Sequence, residues 1–185
     1  GASGGLIGAS YYRELKLREK LGESIKPDAL SYRHKISSDN LNPLIFSLLA
    51  NDLFMGFTKF EYAGKAYERD RAYTFEAQLN RITDGLMDKP IRAYAEVENQ
   101  GIVPMVILTP TVVNDGRKVY IASRPVSFMN RELLNLKDYN QIKVSGIDFQ
   151  RFFKDQDSRN LRFLSALRMS ATFPYITPNT TLPTL

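Results

Sequence analysis

The first five residues of the chain carry its clearest chemical pattern. They read Gly-Ala-Ser-Gly-Gly, which fits Gly-x-Ser-x-Gly with Ser3 at its centre. In such a motif the serine occupies a sharp turn between a strand and a helix, a turn that only small flanking residues tolerate. The hydroxyl of Ser3 would then lie beside the first free N–H groups of the helix. Small-residue turns are common, and a glycine-rich terminus can also be a tail or a fusion scar, so five residues leave both interpretations open.

Few other residues are suited to catalysis or metal binding. The chain has no cysteine, which excludes disulfides and thiolate chemistry, and its one histidine is His34. This residue lies between Arg33 and Lys35, and the flanking charges predict an exposed position with no neighbour to orient the imidazole. We therefore expect no Ser-His pair, no metal site and no cofactor.

The composition is that of a folded domain. With 185 residues, 43% of them hydrophobic, the chain can form one domain with a sizeable core. The net charge of +5 arises from 25 basic and 20 acidic residues, and the sequence has no long run of basic residues. A solvated surface of mixed charge explains this better than a nucleic-acid or membrane interface. No apolar run reaches the roughly 18 residues of a transmembrane helix, and we expect no signal peptide.

The helix that must support Ser3 is visible in the sequence. Apolar side chains recur every four residues at Ile7, Tyr11 and Leu15, which predicts a helix from Ser3 to about Leu21, and Gly22 is its expected terminator. The small residues of its first turns would let the helix lie close against a sheet. The charged residues of its second half are expected to face solvent; they are Arg13, Glu14, Lys16, Arg18, Glu19 and Lys20.

Further elements follow along the chain. We predict a buried helix running from Leu44 toward Phe54 and a helix from about Ala66 to Ile82 that ends at Asp84-Gly85. The turn residues 114–116, Asn-Asp-Gly, predict a hairpin between residues 103–113 and 118–121.

The last third of the chain reads as loop and helix. Residues 125–147 read as loop with a short helix near 131–136, followed by helices over Asp148 to Phe153 and Asn160 to Ala171. Pro174 and Pro178 end regular helix.

A second motif identifies the first. Residues 167–174 read Leu-Arg-Met-Ser-Ala-Thr-Phe-Pro. Taken with Gly-Ala-Ser-Gly-Gly at the start, this stretch resembles the patatin-like phospholipases, in which an elbow serine is followed about this far downstream by a small-residue helix that ends in proline. Residues 70–76 and the hairpin of residues 109–123 also look like the segments between these motifs, so the resemblance covers nearly the whole chain.

The resemblance implies a fold and an activity. It implies a three-layer α/β/α domain and a Ser-Asp dyad without histidine that cleaves lipid or other acyl esters. Ser3 matches the nucleophile, and the N–H of Gly4 matches one oxyanion donor. It also implies a bacterial protein, cytoplasmic or membrane-associated, with a lipid or acyl-ester substrate, peripheral membrane contact and no nucleic-acid partner.

The chain departs from the family pattern at both ends. The glycine-rich oxyanion loop of the family precedes the elbow, and its catalytic aspartate lies in an Asp-Gly-Gly or Asp-Gly-Ala motif after the proline-bearing stretch. Neither Asp155 nor Asp157 occupies that place, so no aspartate is assigned to the dyad. We expect residues 1–185 to form a single partial domain that is inactive alone, with its truncated sheet edge covered by a second copy or by residues 176–185.

Two alternatives remain at this stage. One is a non-catalytic protein of the same fold that serves for interaction, including at a membrane surface, since a fold does not fix a function. The other, weaker alternative is nucleic-acid binding through the net positive charge.

Overall fold

The structure of the chain is a computed structural model that describes residues 4–23, 32–34, 37, 59–62, 65–68, 71–133, 142–144, 146–172 and 179. The chain forms two compact units, Gly1–Asp88 with Ala171–Leu182 and Lys89–Ser170 with Pro183–Leu185. The predicted helix near Leu44 and the tail of residues 176–185, apart from residue 179, lie outside the described residues. Helices predominate in the described parts, and short strands accompany them, so the chain is of mixed α/β content.

The first unit begins with helix α1, Gly4–Lys20. Of the three predicted apolar positions, Tyr11 and Leu15 are buried and Ile7 is half-buried. The helix ends at Gly22, whose φ of +80° suits a residue without a side chain. The Gly22 N–H donates to the carbonyl of Glu19 at 3.2 Å, and the Glu23 N–H donates to that of Arg18 at 3.0 Å. These two bonds form a Schellman motif, which confirms the predicted helix and its terminator.

Two expectations about α1 are wrong. Arg13 and Glu14 are both buried, and Glu14 is 0% exposed. The Glu14 carboxylate can be buried because it accepts a hydrogen bond from Arg18 Nε at 3.0 Å, one turn along the same helix. The charged half of the helix is therefore not wholly solvated. Close packing through the small residues also fails at Gly5 and Ala9, since both are exposed and a Cβ added to Gly5 would meet nothing within 4 Å.

The remainder of the first unit is a short hairpin and a helix. Strand β1, Lys59–Tyr62, pairs antiparallel with β2, Lys65–Glu68, and helix α2 covers Arg71–Ile82. A helix starting at Ala66 was therefore a wrong prediction, because an apolar pattern of only four residues suits a strand as well as a helical turn. The later part of that prediction is confirmed, with Phe75 and Leu79 buried one turn apart.

The end of α2 also matches the sequence prediction. Asp84 and Gly85 both have left-handed backbones, with φ of +53° and +71°. Glycine adopts the left-handed conformation at no steric cost. Aspartate tolerates this conformation better than most other residues with a side chain. The Thr83 hydroxyl donates to the Leu79 carbonyl at 2.7 Å and satisfies one carbonyl of the last turn.

The second unit contains the predicted hairpin. The returning strand is β3, Lys118–Tyr120, and the outgoing residues pair with it through antiparallel bridges at Leu108 and Thr111. The carbonyl of Pro110 accepts a hydrogen bond from the Val119 N–H at 2.8 Å. Proline cannot donate but can accept, so it fits the paired segment without breaking the pairing. Gly116, with φ of +73°, completes the predicted turn.

Residues 125–147 contain more structure than the sequence indicated. A 3-10 turn at Ser127–Asn130 leads into β4, Arg131–Leu133, which pairs antiparallel with β5, Ile142–Val144. Strand β6, Gly146–Asp148, then pairs parallel with β3. The loop prediction for this region was wrong, because strands of three residues are too short to show an alternating pattern.

Short helices and 3-10 turns make up much of the rest of the second unit. A 3-10 turn at Ile91–Tyr94 runs into α3, Ala95–Asn99, and α4 covers Phe149–Phe152. Two more 3-10 turns, Lys154–Gln156 and Ser158–Asn160, precede α5, Phe163–Ser170. The predicted helices over 148–153 and 160–171 are thus confirmed, the second with a later start.

The start of α5 is tied to the segment before α3. The Ile91 N–H donates to the Leu161 carbonyl, and the Phe163 N–H donates to the Lys89 carbonyl, both at 2.9 Å. The rings of Tyr94 and Phe163 meet edge to face with centroids 4.9 Å apart. These contacts join the two ends of the second unit. None of the helices described here has the length and apolar character needed to cross a membrane.

The packing of β6 against β3 predicts different outcomes at two glycines. A Cβ at Gly146 would collide with the ring of Tyr120 and come within 2.9 Å of the Lys118 carbonyl oxygen. We expect Gly146→Ala to lower the free energy of unfolding by about 1–3 kcal/mol through overpacking. Gly5→Ala is the matched control, since it meets open space within a helix and should raise that free energy by roughly 0.5–1 kcal/mol.

Urea denaturation of both variants measures these changes. If the two substitutions shift the midpoint equally and in the same direction, the parallel pairing of β3 and β6 is not as described.

Candidate functional site

The predicted nucleophile, Ser3, precedes helix α1 in the sequence. Ser3 lies outside the described residues, and Gly4 is the first residue of α1. Residues 4–20 are helical, so a helix follows the serine in the sequence, as a Gly-x-Ser-x-Gly turn requires.

A short helical turn at residues 32–34 packs on this helix. The ring of Tyr32 stacks on that of Tyr11 at 5.8 Å, and its hydroxyl donates to the Gly8 carbonyl at 3.0 Å. Burial raises the pKa of the Tyr32 phenol. His34 is exposed, as its flanking charges predicted, and its carbonyl accepts from the Ser37 hydroxyl at 3.3 Å. Among the described residues, no group of three or more His, Asp or Glu side chains could hold a metal ion.

The second unit contains an open cleft of about 670 Å³ that the sequence did not indicate. Four basic side chains line it, from Arg124, Arg151, Lys154 and Arg159. Arg151 lies in α4, Lys154 and Arg159 lie in the two 3-10 turns that follow it, and Arg124 lies far away in sequence, after β3. No local charge run therefore reveals them. We call this feature the basic cleft.

Hydrogen bonds at the base of the basic cleft hold its segments together. The buried Gln150 amide donates to the Ala122 carbonyl at 2.6 Å, which ties α4 to the segment after β3. The buried Ser158 hydroxyl donates to the Gln150 carbonyl at 3.4 Å. The guanidinium of Arg124 donates through Nη1 to the side chain of Asn99 at 2.5 Å. The segments that carry the basic side chains are thus held together by hydrogen bonds.

The cations of the basic cleft are not neutralised within the described part of the chain. Arg151, Lys154 and Arg159 have no side-chain hydrogen bond or ion pair to another described residue, and Arg124 bonds only to neutral groups. Two other described arginines, Arg18 and Arg117, do pair with carboxylates. Arg18, for example, pairs with Glu14 at 3.0 Å. The cleft therefore presents four uncompensated positive charges.

A buried carboxylate, that of Asp148, lies three residues before Arg151 of the basic cleft, and donors of the protein already bind it. Asp148 is 4% exposed and accepts hydrogen bonds from the Val126 N–H at 2.8 Å, the Ser127 hydroxyl at 2.7 Å and the Arg151 N–H at 3.3 Å. The last of these bonds makes it the N-cap of α4. Three donors satisfy the carboxylate, so Asp148 has a structural role and is not a free base.

A second buried pair involves a serine and a carboxylate. The Ser123 hydroxyl donates to Glu98, whose other carboxylate oxygen accepts from the Val106 N–H at 3.4 Å. A small cavity of about 10 Å³ borders this pair and has room for about one water molecule. Ser123 is 4% exposed, so its hydroxyl is not accessible to an acyl substrate. The pair fixes the segment after β3 against α3.

Comparison with known proteins gives no further assignment. No family model, no curated protein and no solved structure matches this chain.

The bonding of Asp148 predicts a large loss of stability when it is removed. Asp148→Ala would leave the buried Val126 N–H without an acceptor and remove the cap of α4. We expect the free energy of unfolding to fall by about 2–4 kcal/mol, measured by urea denaturation. Asp155→Ala, an exposed aspartate on the following turn, is the control and should change it by less than about 0.5 kcal/mol. Equal effects of the two substitutions would show that Asp148 does not hold these segments.

Proposed function

We propose that this chain is the nucleophile-bearing segment of a bacterial serine acyl hydrolase with a patatin-like three-layer α/β/α domain. The observation that supports the proposal best is helix α1, which is described from Gly4 onward, the residue that follows Ser3 in the sequence. A helix after the serine is what the motif requires, and the Ser-Ala-Thr-Phe-Pro stretch at 170–174 supplies the second part of the resemblance.

The proposed reaction passes through a covalent intermediate. The Ser3 oxygen attacks the ester carbonyl while a carboxylate takes its proton, and the carbonyl oxygen becomes an oxyanion. The oxyanion accepts a hydrogen bond from the Gly4 N–H, and one such donor lowers the barrier by about 3–4 kcal/mol. Collapse of the intermediate expels the alkoxide, which takes the proton from the carboxylic acid and leaves as the alcohol, so an acyl group remains on Ser3. Water then attacks this ester and releases the acid.

The base of the proposed dyad is an aspartate that we do not assign within residues 1–185. Asp148 is excluded because three donors occupy its buried carboxylate. Asp155 and Asp157 are exposed, and both precede the stretch after which the family places its catalytic aspartate. In the proposal, the base belongs to an Asp-Gly motif like that of the family.

The proposed substrate is an acyl ester carried by a lipid, which the enzyme would reach through peripheral contact with a membrane surface. A second copy that covers the edge of the sheet is a further part of the proposal. A non-catalytic interaction protein of the same fold is the competing hypothesis, and the labelling experiment below separates the two.

Covalent labelling tests the nucleophile. The parent protein that contains this segment should react with a fluorophosphonate probe, because activated serines attack the phosphorus atom. Ser3→Ala should abolish the labelling, read by in-gel fluorescence. Ser37→Ala, at an exposed serine of the same unit, should leave it unchanged. A folded parent protein that is not labelled, or that is labelled equally after Ser3→Ala, would favour the non-catalytic hypothesis.

A further inference from the structure

We propose that the basic cleft of the second unit binds a phosphate group carried by a small molecule or a lipid headgroup. The proposal goes beyond the acyl hydrolase chemistry, since it uses no residue of the serine motif. It depends on Arg124, Arg151, Lys154 and Arg159, which surround one cavity of about 670 Å³.

The number and type of the cations favour phosphate over carboxylate. A carboxylate has two oxygens and one negative charge, so it offers too few acceptors and too little charge to pair with four cations. A phosphomonoester has three terminal oxygens and a charge of about −1.5 to −2 at neutral pH. Three of the four cations are arginines, whose planar guanidinium groups bind phosphate oxygens in a bidentate manner.

Among the described residues, no carboxylate lines the cleft. Asp155 and Asp157 are close in sequence, but neither lines the cleft, and Asp157 accepts a hydrogen bond from Asn160. Asp148 and Glu98 are buried and bonded to donors of the protein. The charged side chains that line the cleft are therefore all positive, which favours an anionic ligand.

The size of the cleft favours a small ligand over a nucleic acid. Ligand pockets commonly measure about 300–1,000 Å³, a range that includes this cleft. A phosphate fills a small part of it, and the remaining space, bordered by Ala95 and Pro125, can take an organic group. A nucleic-acid strand needs cations along a groove several phosphates long, usually with aromatic side chains on which bases stack.

Calorimetric titration of the chain with glycerol 3-phosphate tests the proposal. We expect saturable binding that the triple variant Arg151→Gln, Lys154→Gln, Arg159→Gln weakens about tenfold or more, through loss of charge-assisted hydrogen bonds. The control variant Arg33→Gln, Lys118→Gln removes two exposed cations outside the cleft and should change binding by less than about twofold. Circular dichroism and thermal melting check that all variants fold.

The pH dependence identifies the phosphate. A phosphomonoester gains its second charge near pH 6, whereas Arg and Lys stay charged throughout. Binding of glycerol 3-phosphate should therefore tighten severalfold between about pH 5 and about pH 7.5. Binding of glycerate, a carboxylate of similar size, should be weaker and should not tighten over that range.

Vesicles distinguish the two sources of the phosphate. The cleft binds a lipid headgroup if the chain co-sediments with vesicles of phosphatidic acid but not with vesicles of phosphatidylcholine. Glycerol 3-phosphate should then compete with the phosphatidic acid vesicles for the chain. If glycerol 3-phosphate binds but the vesicles do not, the cleft takes a soluble phosphate ester. Both results support the proposal.

Three results would overturn it. The first is the absence of binding to glycerol 3-phosphate and to both vesicles, and the second is an equal loss in the triple and control variants. The third is tighter binding of a short single-stranded DNA than of glycerol 3-phosphate or the vesicles, if the triple variant abolishes that DNA binding. Ser3→Ala should leave phosphate binding unchanged, so failure of the hydrolase proposal and failure of this one are distinguishable.

Discussion

The second unit depends on one buried carboxylate. Asp148 ends β6, the strand that pairs in parallel with β3, and caps the helix that follows. The same carboxylate accepts from the backbone of Val126 and the hydroxyl of Ser127, which lie after β3. A buried charge is stable only when donors surround it, so the requirement to satisfy Asp148 fixes the end of the sheet, the start of α4 and the intervening segment together.

This constraint also sets the geometry of the basic cleft. Capping at Asp148 fixes the start of α4, and therefore the positions of Gln150 and Arg151. Gln150 in turn bonds to Ala122, one residue before the serine that contacts Glu98. A cleft lined by mobile lysines on a smooth surface would hold an anion weakly, because each side chain would lose conformational entropy on binding. Here the backbone that carries the cations is held by buried bonds.

Sequence periodicity predicted the elements that are long or that have a clear terminator. Helix α1 with Gly22, the end of α2 at Asp84 and Gly85, and the hairpin around Gly116 all follow from local chemistry. The short strands β4 to β6 were missed, because three residues show no period and their pairing depends on partners distant in the chain. Burial of Glu14 was missed for a related reason, since its stabilising partner Arg18 was counted as part of a solvated face.

The two proposed sites differ in how far the sequence could indicate them. Ser3 was a candidate because five consecutive residues define its motif, whereas the basic cleft joins Arg124 to residues of a distant segment and needed the structure. The nucleophile is tested most directly by mass spectrometry of the parent protein, quenched in acid while it hydrolyses a short-chain ester. We predict an acyl adduct on the peptide that contains Ser3. Hydrolysis with no adduct, or with an adduct on another residue, would contradict the assignment of Ser3 as the nucleophile.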